Sequence, residues 1–262
     1  MHCDDGGLGV GFSAAFAHLG LDWVYVAFEV AAGRAGDALS AMGALGIRGL
    51  SVTMPHKHDI AAAVDRVSPS AARLDAVNCV ELCADGTTVG HNTDGDGFVD
   101  SLRIDTGIDV ARLRCVVVGA GGAARSVIDA LARAGASDVA VVNRTRARAE
   151  TAAALAGAVG RVGDVDDIAV ADLVVNATSV GMGNVELPFD VAGLRPDAMV
   201  VDLVYHPART ALLAAAHDRG VRTIGGLGML IHQAARQLHI WTGLDAPVDV
   251  MRAAAEAELA RR

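Results

Sequence analysis

The stretch Arg114-Cys-Val-Val-Val-Gly119-Ala-Gly-Gly-Ala-Ala124-Arg-Ser-Val-Ile-Asp-Ala130 carries three signals in a row. Cys115 to Val118 is a continuous apolar run, as expected of a strand buried on both faces. Gly119-Ala-Gly-Gly-Ala-Ala124 then matches G-x-G-x-x-G/A, and the residues beyond it predict a helix to about Ala134 with Gly135 as its stop. Such a glycine string is weak by itself; between a strand and a helix it is strong. Glycine permits the tight turn and the close approach of the backbone, and the helix N-terminus can receive a pyrophosphate.

The pattern extends in both directions. Val139 to Val142, Leu173 to Asn176, Met199 to Leu203 and Val221 to Ile224 predict further strands. Strands alternating with helices at this spacing indicate a parallel sheet with right-handed crossovers. Residues after Gly226 read as helix, including Asp249 to Arg262. Toward the N-terminus, Asp22 to Phe28 reads as a buried strand, Ala35 to Leu45 as a helix ending near Gly46, and Gly49 to Thr53 as the next strand. Ala76 to Leu82 and Thr87 to Gly90 predict short strands joined at the turn Asp85-Gly86. Gly95 and Gly97, after Asn92-Thr-Asp94, predict a bend where one unit ends.

A length of 262 residues allows one large domain or two of ordinary size. Apolar residues make up 52% and aromatics only 3%, with 30 glycines, which favours α/β layers of Ala, Val, Leu and Gly over an aromatic-rich β sandwich. A formal net charge of −9 opposes general nucleic-acid binding and attachment to anionic membranes. Cys3, Cys79, Cys83 and Cys115 lack CxxC spacing, and no second pair or His cluster completes a metal site, so they read as buried free thiols. With no charged-then-apolar leader and no 18-residue apolar run, the chain reads as soluble and cytoplasmic.

Two places carry candidate chemistry beyond the glycine string. After the second strand of the parallel series, an NAD site usually places an Asp or Glu on the ribose diol. Here the residues are Asn143-Arg144-Thr145-Arg146-Ala147-Arg148. Guanidinium groups suit a phosphate monoester, so the position predicts the 2′-phosphate of NADP; a solvated arginine patch is the plainer reading. The other place is Lys57, in Ser51-Val-Thr-Met-Pro-His-Lys-His58. Of the 22 basic Lys and Arg residues it is the single lysine. Arginine stays protonated, whereas a desolvated ammonium can release its proton, so only Lys57 suits acid–base work; arginine bias sparing one codon would look the same. Asp94, at the predicted seam, is a candidate partner that could equally cap a helix.

These strings resemble the shikimate dehydrogenase family. The resemblance rests on Ser51-Val-Thr-Met-Pro-His-Lys57, Ala76-Val-Asn78, Asn92-Thr-Asp-Gly95, Gly119-Ala-Gly-Gly-Ala123, Asn143-Arg-Thr145, Asn176-Ala-Thr-Ser-Val-Gly-Met182, Asp202-Leu-Val-Tyr205, and Gly226-Leu-Gly-Met-Leu230 with Gln233. It spans Asp22 to about Gly243. It implies a two-domain α/β enzyme, with a substrate-binding domain from residues 1–95 plus 227–262 and a Rossmann-like NADP-binding domain from residues 96–226. The implied reaction, in the cleft between them, is the reversible reduction of 3-dehydroshikimate to shikimate by NADPH. Lys57 would be the acid–base group and Asp94 its partner, also touching a substrate hydroxyl. Thr53, Asn78, Tyr205 and Gln233 would hold the remaining hydroxyls or the ring. Gly119, Ala120, Gly121, Gly122 and Ala123 would cradle the pyrophosphate, with Asn143, Arg144, Thr145 and Arg148 at the adenosine ribose and its phosphate. Thr178 and Ser179 would flank the ribose, and Leu203, Gly226 and Met229 would line the nicotinamide. No metal is implied, and a homodimer is left open.

One motif of the family is missing. Its Ser-x-Ser-Pro-x-x-His-Asn, whose hydroxyls receive the substrate carboxylate, aligns with Gly6, Leu8, Gly9 and Phe12-Ser13, and the strand before it is absent. Met1 to Gly11 therefore reads as a replaced or misread terminus. Quinate or an aminoshikimate is an alternative substrate, and an NADP-binding paralogue without turnover an alternative function.

Overall fold

A computed structural model describes residues 6–261; Cys3 lies outside them. The chain divides into two units, one holding the residues up to Gly97 and from Ile231 onward, the other Phe98–Leu230.

In the first unit α1 (Gly6–His18), α2 (Ala35–Ser40), α3 (Met42–Leu45), β1 (Gly49–Ser51), α4 (Lys57–Ala63), β2 (Arg66–Val67), α5 (Pro69–Leu74), β3 (Cys79–Leu82) and β4 (Thr88–His91) follow in order. The strands form one sheet in the order β1-β3-β4-β2, antiparallel except for the β2–β4 pair. The expected hairpin is β3–β4, turning at Gly86 with a φ of 84°. The predicted helix from Ala35 is interrupted at Ala41, and ends at Gly46 in the left-handed conformation. Met42, Ile60, Val77 and Val80 fill the core beneath the sheet.

Three expectations are corrected here. Asp22 to Phe28 is extended but belongs to no strand, and it is not buried: Val24, Val26 and Phe28 are 84, 55 and 63% exposed. Alternating apolar composition makes a segment suited to a sheet without placing it in one, since a strand exists only through its ladder hydrogen bonds. Two rings of Asp22 to Phe28 pack on α1, where Tyr25 stacks on Phe12 at 4.7 Å and Trp23 meets Phe16 edge-on. The first unit does pause at Gly97, but without a bend, since Gly95 and Gly97 lie within α6 (Asp94–Asp100); glycine is needed at 97 because a Cβ there would sit 2.5 Å from the backbone nitrogen of Gln233. Cys83 is half-buried rather than buried, whereas Cys79 and Cys115 are buried.

The second unit contains β5 (Arg114–Val118), α7 (Gly122–Arg133), β6 (Asp138–Val142), α8 (Arg146–Ala153), β7 (Gly160–Val162), β8 (Leu173–Asn176), β9 (Met199–Asp202), α9 (Ala211–Asp218) and β10 (Arg222–Gly225). All pairs are parallel, in the order β10-β9-β8-β5-β6-β7. The five apolar runs read from the sequence are β5, β6, β8, β9 and β10, while the short edge strand β7 is not among them; one core cluster contains Val117, Val127, Leu131, Val139 and Val175. Gly135 stops the predicted helix with a φ of 89°. The chain then continues through α10 (Leu227–Thr242) and α11 (Val248–Leu259). In the first unit Trp241 of α10 donates its indole N–H to the Val80 carbonyl at 2.9 Å, and a Cβ on Gly49 would collide with that ring. No helix among the described residues is long and apolar enough to cross a membrane.

Candidate active site

Lys57 begins α4, and its carbonyl accepts the Val77 N–H, so the segment entering β3 is tied to the start of α4. Asp94 begins α6, its own N–H bonded to Asn92 Oδ1. Their side chains meet, with Lys57 Nζ donating to Asp94 Oδ2 at 2.6 Å, and the two are only 23 and 11% exposed. The other Asp94 oxygen accepts from Asn78 Nδ2 at 2.7 Å. Asn78 Nδ2 also reaches Gln233 Oε1 at 3.3 Å, and Thr93 Oγ1 donates to the Gln233 carbonyl at 3.1 Å. Residues 57, 78, 94 and 233, far apart in the chain, thus form one hydrogen-bonded cluster. It holds an amine whose proton can move, a carboxylate oriented by two donors, and two amides. Such a set can bind a polyhydroxylated ring and exchange a proton with one of its oxygens. Thr53 lies between β1 and this cluster in sequence, half-buried, with its carbonyl bonded to the His56 N–H.

The second unit presents a different surface at the carboxyl ends of its strands. The order of strands reverses between β5 and β8, the place where open α/β sheets bind ligands. Gly119 leaves β5 with a φ of 118°, and a Cβ there would lie 2.9 Å from the Ala177 carbonyl oxygen and 3.1 Å from a Thr178 carbon. Only glycine satisfies both conditions. Gly121, Gly122 and Ala123 are exposed, and no side chain caps the first turn of α7, which leaves its N–H groups available to an anion. At the end of β6 the side chain is Asn143, bonded to the Thr145 carbonyl, with no carboxylate in its place. Arg146 is engaged by Glu150 at 3.0 Å. Arg144 and Arg148 are exposed and have no ion pair among the described residues. A glycine cradle with two available guanidinium groups fits a dinucleotide bearing a phosphate monoester.

The loops beyond β8 and β9 are fixed by buried polar residues to which the sequence reading gave no role. Asn176 Nδ2 donates to Asp202 Oδ1 at 2.8 Å, and Asn176 Oδ1 accepts from Thr178 Oγ1 at 2.7 Å. Thr210 donates to Asp202 Oδ2 at 2.6 Å and also caps α9 by accepting the Leu213 N–H. Polar residues ending apolar strands were the available signal. Ser179 is exposed, while Leu203 and Met229 are partly buried against the unit's core. A Cβ on Gly226 would lie 2.3 Å from the Leu203 carbonyl oxygen, so that crossing also requires glycine. Tyr205 follows β9, half-buried. Burial pushes the Cys115 thiol up to about 12 and the Cys79 thiol higher, so neither offers a thiolate. Among the described residues no three His, Cys, Asp or Glu side chains converge as metal ligands.

Three protein-family descriptions match this chain. The shikimate dehydrogenase substrate binding domain matches residues 10–80, shikimate / quinate 5-dehydrogenase residues 103–185, and the shikimate 5′-dehydrogenase C-terminal domain residues 226–256. The shikimate dehydrogenase (NADP(+)) of Moorella thermoacetica is 47% identical over 251 residues, covering 91% of this chain and 84% of that one. The crystal structure of shikimate 5-dehydrogenase from Thermus thermophilus, in complex with NADP(H) and shikimate, superposes with a TM-score of 0.91 at 34% identity, covering 98% of this chain and 97% of that one. Quinate dehydrogenase from Corynebacterium glutamicum, in complex with NAD, gives a TM-score of 0.90 at 33% identity, covering 98 and 96%.

Proposed function

The chain belongs to the shikimate dehydrogenase family, and from that premise we propose that it reduces 3-dehydroshikimate reversibly to shikimate with NADPH. The observation that carries this reading is the Lys57–Asp94 pair at 2.6 Å, joined through Asn78 to Gln233. The nicotinamide, when bound, supplies or accepts the hydride. Lys57 gives a proton to the carbonyl oxygen as it becomes an alcohol, and removes it in the reverse direction. Asp94 holds the ammonium in place and accepts a hydrogen bond from a neighbouring substrate hydroxyl. Asn78, Gln233, Thr53 and Tyr205 receive the remaining oxygens of the ring.

Gly119 to Ala123 and the start of α7 hold the pyrophosphate of NADP, and Asn143, Arg144, Thr145 and Arg148 hold the adenosine ribose and its 2′-phosphate. Thr178 and Ser179 lie along the second ribose, and Leu203, Gly226 and Met229 along the nicotinamide. The test is a steady-state assay of the whole chain with shikimate and NADP, following NADPH formation. Oxidation of shikimate with NADP preferred over NAD is expected; no shikimate-dependent NADPH would end the reading.

A further inference from the structure

Gln237 sits one turn beyond Gln233 on α10, is fully buried, and belongs to none of the motifs that mark the site. Its amide nitrogen donates to Gln233 Oε1 at 2.8 Å and to the Asn78 carbonyl at 3.2 Å. Its own Oε1 is buried and meets no donor among the described residues. Burying an amide oxygen without a donor is unfavourable, so packing alone would favour an apolar side chain here. What the glutamine contributes is its NH2 group.

We infer that Gln237 is a positioning residue for the substrate, because it fixes which way round the Gln233 amide stands. Gln233 Oε1 accepts from both Gln237 Nε2 and Asn78 Nδ2, two donors that only the oxygen end of an amide can face. With the oxygen held there, the NH2 end is turned the other way as a donor of defined direction. A hydroxyl or carbonyl oxygen of the ring then meets a hydrogen rather than a competing lone pair. Asn78 is locked in the same sense, since its Oδ1 accepts the Thr93 N–H at 2.8 Å while its Nδ2 donates to Asp94. The order of donors and acceptors therefore runs unbroken from Gln237 to the carboxylate beside Lys57. This inference rests on the substrate role given above to Gln233.

Gln237→Met retains the bulk and removes the donor. It is expected to raise the KM for shikimate about tenfold, with kcat within about twofold. The KM for NADP and the melting temperature should hold, since the orphaned oxygen leaves with the nitrogen. In a Gln233→Ala background Gln237→Met should add nothing, the non-additivity of a residue acting through another. If Gln233→Ala raises the KM for shikimate while folded Gln237→Met does not, the inference is overturned and the role of Gln233 stands. If Gln233→Ala itself changes nothing, that role fails first and takes the inference with it. A fall in melting temperature with parallel losses in kcat and NADP binding would mark Gln237 as packing and also overturn the inference. Should Gln237→Met not fold, Gln237→Leu, equally without a donor, reads the same quantities.

Discussion

Lys57 can release a proton, and an arginine in its place cannot. Lys57→Arg keeps the cation beside Asp94, so it separates charge from proton transfer. The expected result is a fall in kcat of about two to four orders of magnitude, the range of general acid–base catalysis, with the KM for NADP nearly constant. Near-normal turnover in steady-state kinetics would show that the ammonium acts as charge alone. The substrate carboxylate poses a second question at this scale. By the resemblance read from the sequence, Gly6 and Leu8 replace the family's two serines; both lie in α1, with Leu8 buried. Ser13, the nearest hydroxyl, donates to the Gly9 carbonyl of its own helix at 2.8 Å. A charge-assisted hydrogen bond contributes about 1.5–3 kcal/mol, so shikimate is expected to bind at least about tenfold more weakly than to relatives with both serines. Calorimetry against a relative whose sequence carries both serines measures this, and equal affinity would mean that another donor fills the place.

The elements of the second unit were legible because each carries its own signal: a double-buried apolar run, a glycine turn, an amphipathic helix and a terminal glycine. The turn after β6 belongs with them. Arg146 pairs with Glu150, while Arg144 and Arg148, exposed and without an ion pair among the described residues, are the groups proposed for the 2′-phosphate. Arg144→Ala is expected to raise the KM for NADP about ten- to a hundredfold and to leave that for NAD nearly unchanged, the loss of one charge-assisted contact. Equal losses for both cofactors in parallel titrations would remove the phosphate from this turn. Elsewhere the sequence misled for a physical reason. Asp22 to Phe28 has the apolar, β-branched composition of a buried strand, yet Val24, Val26 and Phe28 are exposed while Trp23 and Tyr25 turn their rings onto α1, because composition does not say which face of a segment is covered. Gly97 looks like punctuation until Gln233, far away in the chain, is seen to need the space. Asn176, Asp202 and Gln237 were not singled out for the same reason, since their meaning lies in neighbours that are distant in sequence.

Carboxylates held by arginines contribute to the response of the whole molecule to acid. Arg114, with Arg195 beyond it, pulls the Asp172 carboxyl from its ordinary 3.8 to about 2, and Arg161 lowers Asp167. A depressed folded value means stability that is complete above the ordinary value and is lost as the pH falls through the folded one. Denaturant midpoints should therefore hold at neutral pH and decline from about pH 4 toward about pH 2. Asp172→Asn should flatten that decline by about 1 kcal/mol or less after solvent screening. A midpoint that changes equally with and without Asp172 would assign the acid response to other groups. The solitary status of Lys57 has a consequence for handling this protein. With every other basic side chain of Lys or Arg type an arginine, amine-directed labels have one internal address, and that amine keeps 23% exposure. An endoproteinase that cuts after lysine has one bond to sever. Reductive methylation or a fluorophore at that address thus enters at the proposed acid–base group, and bound shikimate should shield the label's point of attachment.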